Sequence, residues 1–167
     1  ENGEIDPDHA EKTFYVVLFD TDNKWATAED GGDGRLGADQ VATATGNTGY
    51  HLSGWIPGEP KEGYELTVNT EFVATFEINK YQVKVNHIDE DTGKAIEGQE
   101  PDELTNVDYG TTINGETYKR NIEKYAYTKA ESKSVTADGV EVNVYYSVDD
   151  NETGTPDKYE VEVTYRA

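Results

Sequence analysis

Cysteine and methionine are both missing from this chain of 167 residues. Without cysteine there is no disulfide framework, no thiolate metal site and no cysteine nucleophile. The lack of oxidisable sulfur suits an exposed extracellular protein. No run of 18 apolar residues occurs, so nothing in the sequence reads as a helix that spans a bilayer. No secretory signal or lipidation motif is recognisable either. Bases are scarce: 14 Lys and Arg stand against 35 Asp and Glu, a net charge of −21. Phosphate backbones and anionic lipid repel such a surface, which argues against nucleic acid and anionic membrane as partners. A soluble, non-sticky surface is the plain consequence.

What the chain does contain is short alternating segments rich in tyrosine and valine. FYVVLFD (Phe14–Asp20), YQVKVNH (Tyr81–His87) and YEVEVTY (Tyr159–Tyr165) share one pattern, a tyrosine followed by valines at every second place. Tyr15, Tyr81 and Tyr159 lie 66 and 78 residues apart. That spacing fits successive small domains that each open with the same strand. The polar segment 1–12 reads as a linker, residues 13–79 as a first module, 80–147 as a second and 148–157 as a linker that should flex. Residues 158–167 read as the first strand of a further module, with an added edge strand on an existing sheet as the rival. The chain thus has the look of a segment of a longer protein.

In the first module Phe14–Asp20 is apolar on both faces and predicts a central strand. LGADQVATAT has the spacing of a short helix, with Ala38, Val41 and Ala42 on one side. TGYHLSGWIPGEP carries turn residues around Tyr50, Leu52 and Trp55. YELTV and EFVATFEI predict two strands, the second alternating Phe72, Ala74, Phe76 and Ile78 with Val73, Thr75 and Glu77. In the second module YQVKVNHI leads to a turn at DEDTGK. Asn114-Gly115, between alternating residues, predicts a two-residue type I′ hairpin. A second hairpin is predicted to turn near Asp138-Gly139, its last strand carrying Val140, Val142, Val144 and Tyr146 on one face.

Two stretches carry a resemblance. YQVKVNHIDEDTGKAI, VDYGTTINGETYK and VTADGVEVNVYYS occur in the order found in the mucin-binding-protein-type (MucBP-like) repeats of Gram-positive surface proteins, which the second module resembles over about 65 residues. The first module resembles the internalin B-repeat (Listeria–Bacteroides-type) modules through YVVLFD, TGYHLSGWIP and VNTEFVATFEI, and departs from them in the long, irregular DNKWATAEDGGDGRLGADQV. The resemblance implies a β-rich α+β fold of two tandem small β-grasp (ubiquitin-like) domains end to end. It also implies an extracellular, wall-anchored setting, with anchoring outside this segment. It carries no ligand residues across.

The chemistry available is not catalytic. His9 lies in the leading linker, His51 beside a Gly-rich turn and His87 at a strand end, none in the setting of a triad. Asp20, Asp22, Asn23, Glu29, Asp30 and Asp33 gather oxygen ligands in one loop, but without the spacing of a twelve-residue calcium loop or its closing Glu. No metal or other cofactor is expected. A Lys–Asn cross-link cannot be read from sequence, since it needs residues buried together. Trp55 reads as a core residue. Trp25, in a polar loop, and Tyr109 and Tyr118 in the second module are the candidate contact residues for a ligand. The expected function is a non-enzymatic adhesin segment that binds host mucin glycans or immunoglobulin as a monomer. The alternative is a structural stalk that spaces a distal adhesive head from the wall.

Overall fold

A computed structural model describes residues 2–5, 34–66 and 68–166. The expected strand Phe14–Asp20, His9, Trp25 and the acidic loop from Asp20 to Asp33 lie outside the described residues. The chain divides into two compact units, Glu1–Asn79 and Lys80–Ala167. The described residues are β-rich, and their helical content is limited to short 3-10 turns.

In the first unit β1 (Gly3–Ile5) pairs antiparallel with β2 (Ala44–Gly46). A second antiparallel pair joins β3 (Tyr50–Ile56) to β4 (Val73–Ile78). The helix expected over LGADQVATAT is only a 3-10 turn, Ala38–Gln40, in which the Gln40 side chain accepts the Gly37 N–H at 2.8 Å. Val41 is already extended, and the β-branched residues that follow favour strand over helix. The stretch read as turns around Tyr50, Leu52 and Trp55 is strand β3, with a bulge between Leu52 and Gly54 that absorbs its irregular pattern. Among its described residues YELTV forms no regular strand: Glu65 makes a single bridge to Arg35. Trp55, expected in the core, is half-buried opposite Ala74.

The second unit holds a five-stranded mixed sheet. β5 (Lys80–Asp89) is flanked on one edge by β6 (Lys94–Ala95) and β7 (Asp102–Asp108), both antiparallel. On its other edge β5 runs parallel to β11 (Val140–Val148), which in turn pairs antiparallel with β9 (Tyr125–Ala130). A small separate ladder joins β8 (Thr112–Asn114) to β10 (Ser132–Ser134). Val83, Val85, Val135, Val142, Val144 and Tyr146 are essentially sealed from solvent, with Ile96, Ile113 and Ile122 packed around them. Burying each valine side chain contributes about 1.5–3 kcal/mol. The face read from Val142, Val144 and Tyr146 is therefore the core face of β11, and Val140 is half-buried against it.

Asn114-Gly115 does not make a hairpin. β8 finds its partner 18 to 22 residues away in β10, and Gly115 opens a 3-10 turn, Gly115–Tyr118. The Asn114 side chain accepts the Glu116 N–H at 3.1 Å, a capping role the dipeptide can fill as readily as a turn. Gly115 is needed for space: a Cβ there would sit 2.9 Å from the Glu131 carbonyl oxygen and 3.0 Å from Val142 Cγ1. The second expected hairpin is also divided. β9 and β11 do pair, but β10 between them turns aside to β8. Asp138-Gly139 supplies the turn into β11, with Gly139 at φ +74°.

Within residues 148–157, the linker expected to flex, Asp149 holds the turn at Thr153 and Gly154. Asp149 is buried and accepts the Thr153 N–H at 3.0 Å and the Gly154 N–H at 2.8 Å through its two carboxylate oxygens. The stretch 158–167, expected as a strand, opens within a 3-10 turn, Asp157–Tyr159, and joins no ladder among its described residues. Its valines and tyrosines stand exposed, Val161 at 86% and Tyr165 at 92%. It is tied back by Lys158, to Asp91 at 2.9 Å and Glu90 at 3.3 Å, and by the Glu160 carboxylate, which accepts from the Asn151 amide and the Thr153 hydroxyl.

Replacing Gly115 by Val is expected to cost about 1–3 kcal/mol by overpacking. A urea midpoint equal to that of the parent would contradict the close approach to Glu131.

Candidate functional site

The second unit carries a cleft of about 860 Å³ beside β9. Three pieces of chain build it: the segment 119–124, the start of β9, and the turn after β11. Ile122 and Ala126 are buried beneath it. Tyr125 and Tyr127 stand at alternate positions of β9, so one face of the strand presents both rings. Both are half-buried: they pack against the core cluster on one side and line the cleft on the other. Burial raises both phenol pKa values, with the charges of Asp89 and Asp150 adding at Tyr125 and that of Glu116 at Tyr127. Both therefore keep their hydroxyl proton at neutral pH and can donate. The Lys119 ammonium lies 4.7 Å from the centre of the Tyr127 ring, a cation–π contact.

Bases and acids are balanced around the cleft. Lys119, Arg120 and Lys124 face Glu123, Asp149 and Glu152. Asp149 is already satisfied by two backbone donors, and its own N–H donates to the Lys124 carbonyl at 2.9 Å. Lys124 and Asp150 approach only to 3.9 Å on the surface, an ion pair of little worth. Lys124 (φ 62°) and Glu152 (φ 55°) both hold left-handed backbone. For residues with a Cβ this costs roughly 1–2 kcal/mol each, and such outliers concentrate at binding sites.

Beneath the cleft lies a closed polar circuit. His87 on β5 is 1% exposed. Its Nε2 is 3.1 Å from Asp102 Oδ2 on β7, and its Nδ1 is 3.3 Å from the Tyr146 hydroxyl on β11. Arg120 closes the ring. Its guanidinium donates to Asp102 Oδ1 at 2.7 Å, and its backbone N–H donates to the Tyr146 oxygen at 2.9 Å. The proton positions follow. A carboxylate only accepts, so Nε2 carries the hydrogen. A neutral imidazole has one N–H, so Nδ1 accepts from the Tyr146 hydroxyl. Burial, reinforced by the nearby Arg120 charge, holds the His87 pKa below 6.5 against the opposing pull of Asp102. Asp102 itself is held low by Arg120 and His87, which together outweigh its desolvation. Arg120 also reaches the Glu100 carbonyl at 2.9 Å.

The residues singled out in the sequence are not brought together here. Trp25 lies outside the described residues. Tyr109 is half-buried after β7, and Tyr118 packs on the core of the second unit, as the two cleft tyrosines do, but does not line the cleft. The signal for the cleft tyrosines lies in KYAYTKA, which shows two rings at strand spacing between lysines. His87, read as lying at a strand end, is a core residue. Parity carried that signal, since Val83, Val85, His87 and Asp89 occupy alternate places on one strand and all point inward.

Tyr146→Phe is expected to cost about 1–3 kcal/mol, because it strips partners from the Arg120 N–H and His87 Nδ1 in a buried site. The acid response has a definite sign. The unfolded chain binds a proton at His87 near pH 6.5 and the folded chain does so only lower. The stability this residue contributes is thus complete above about 6.5 and falls as pH drops from there toward the folded value. Urea midpoints at a series of pH values are expected to decline from about 6.5 downward, and His87→Gln is expected to remove that part of the decline.

Compared with protein-family models, with curated proteins and with solved structures, the chain returns no match.

Proposed function

We propose that this chain is a non-enzymatic repeat segment of a bacterial cell-surface adhesin, and that the cleft beside β9 takes a saccharide of host mucin or another glycoprotein. The observation that carries the reading is the pair of rings, Tyr125 and Tyr127, set among both hydrogen-bond donors and acceptors. Sugar faces stack on aromatic rings, and their hydroxyls need donors and acceptors in comparable number. The balanced charge of the lining suits such a ligand better than a polyanion. The resemblance of the second module to MucBP-like repeats points the same way. The β-grasp reading of that module draws support from its central pair of parallel strands, β5 and β11, the first and last of the sheet. A stalk role is favoured by a different observation: Asn79 alone separates β4 from β5, so two modules follow one another with almost no linker.

One shallow cleft binds weakly, because association costs consume most of what a small contact contributes. Display of several copies raises the effective concentration and recovers the signal. The test is binding to immobilised purified mucin, with the chain as a monomer and as a streptavidin-displayed tetramer. Binding is expected in the tetramer. Tyr127→Ala is expected to weaken it about tenfold, equivalent to about 1.4 kcal/mol. Lys124→Gly relieves the left-handed strain and should leave folding intact while weakening binding. Silence of the tetramer on mucin would favour the stalk. Undiminished binding by both variants would place any contact elsewhere.

A further inference from the structure

Arg120 belongs to two structures at once. It lines the cleft, and it closes the circuit with His87, Asp102 and Tyr146. We infer that the His87–Asp102 pair positions this Arg120 wall, so that mild acid, by charging the imidazole, releases Arg120 and weakens the cleft's hold on saccharide. The last clause rests on the saccharide reading; the release of Arg120 does not.

The groups that face His87 come from each element around it. β7 contributes Asp102, β11 contributes Tyr146, and the segment before β9 contributes Arg120. On β9, Tyr127 stands behind Tyr146, with ring centres 6.2 Å apart. In the neutral state each hydrogen in this circuit has an acceptor. Protonation of Nδ1 changes that. Two donors, the imidazolium N–H and the Arg120 amide, then converge on the Tyr146 oxygen, whose own proton loses its acceptor inside the core. Two cations also share one carboxylate, Arg120 on Oδ1 at 2.7 Å and His87 on Oδ2 at 3.1 Å. His87 is enclosed by β5 and its neighbours, whereas the Arg120 side chain is about one-third exposed. The group able to move to water is Arg120. Burial and the Arg120 charge both disfavour the imidazolium, so the change lies below the ordinary histidine value of 6.5.

The experiment follows the isotope-labelled chain by NMR from about pH 7.5 to about pH 5, a range that brackets ordinary histidine titration. The His87 ring is expected to begin as the Nε2–H tautomer and to titrate with a midpoint below 6.5. The Arg120 amide and guanidinium signals are expected to follow the same midpoint. In Asp102→Asn the Arg120 guanidinium signal should be displaced already at the upper pH. In parallel, tetramer binding to immobilised mucin is expected to fall at least about fivefold across the range, as for a modest coupling free energy. His87→Gln should bind equally at both ends. Arg120 signals that ignore the His87 titration would overturn the positioning role. Arg120 signals that follow it, with mucin binding present but indifferent to pH, would overturn the control of binding. Arg120 signals that follow it with no mucin binding at any pH would uphold the release of Arg120 and overturn the saccharide reading.

Discussion

Everything in the second unit depends on the parallel ladder between β5 and β11. Its register sets Val83 beside Val140, Val85 beside Val142 and His87 beside Val144. These strands lie far apart in sequence, so the pairing closes a long loop before any contact offsets the entropy lost. Apolar burial along both strands makes the pairing worthwhile. β7 and β6 add to one edge and β9 to the other. The segments between strands are then left to cover the open ends, and one of them, residues 119–124, becomes a wall of the cleft.

The same ladder brings a polar group into the core. His87 follows Val83 and Val85 on the inward face of β5, where a third apolar residue would pack without any hydrogen-bonding demand. A buried imidazole needs partners at both nitrogens, because an unmade hydrogen bond in the interior costs about 1–3 kcal/mol. Tyr146 and Asp102 meet that demand, and Arg120 satisfies both of them. A circuit so fully connected specifies one arrangement of β5, β7, β11 and the 119–121 segment. It also makes the cleft's geometry depend on a group that can change its charge.

Much of this arrangement was legible in the residues. Alternation placed Val142, Val144 and Tyr146 on the core face of β11, and Asp-Gly at 138–139 marked the turn that leads into it. DEDTG turns as its composition implies: Asp89 accepts the Asp91 N–H at 2.9 Å and the Thr92 hydroxyl at 2.9 Å. The departures share one cause. Asn114-Gly115 has the residues of a hairpin turn, yet its strand pairs with β10, and the glycine serves close packing. Tyr118 has the look of a free aromatic, yet it covers the core. Glu160–Arg166 alternates as well as any strand in the chain but has no ladder partner among the described residues.

Sequence by itself determined which side of each strand is apolar, because successive side chains point to opposite faces whatever the strand pairs with. It also determined the acidic surface and the lack of thiol chemistry, which follow from composition. Tertiary structure alone decided the partner of each strand. Backbone donors and acceptors are alike at every residue, so competition among all available edges settles the pairing, and no single segment encodes the outcome. The cleft and the circuit beneath it are products of that competition. Tyr127, Arg120, His87, Asp102 and Tyr146 come from five separate segments and acquire a joint chemistry only when β5 and β11 have met.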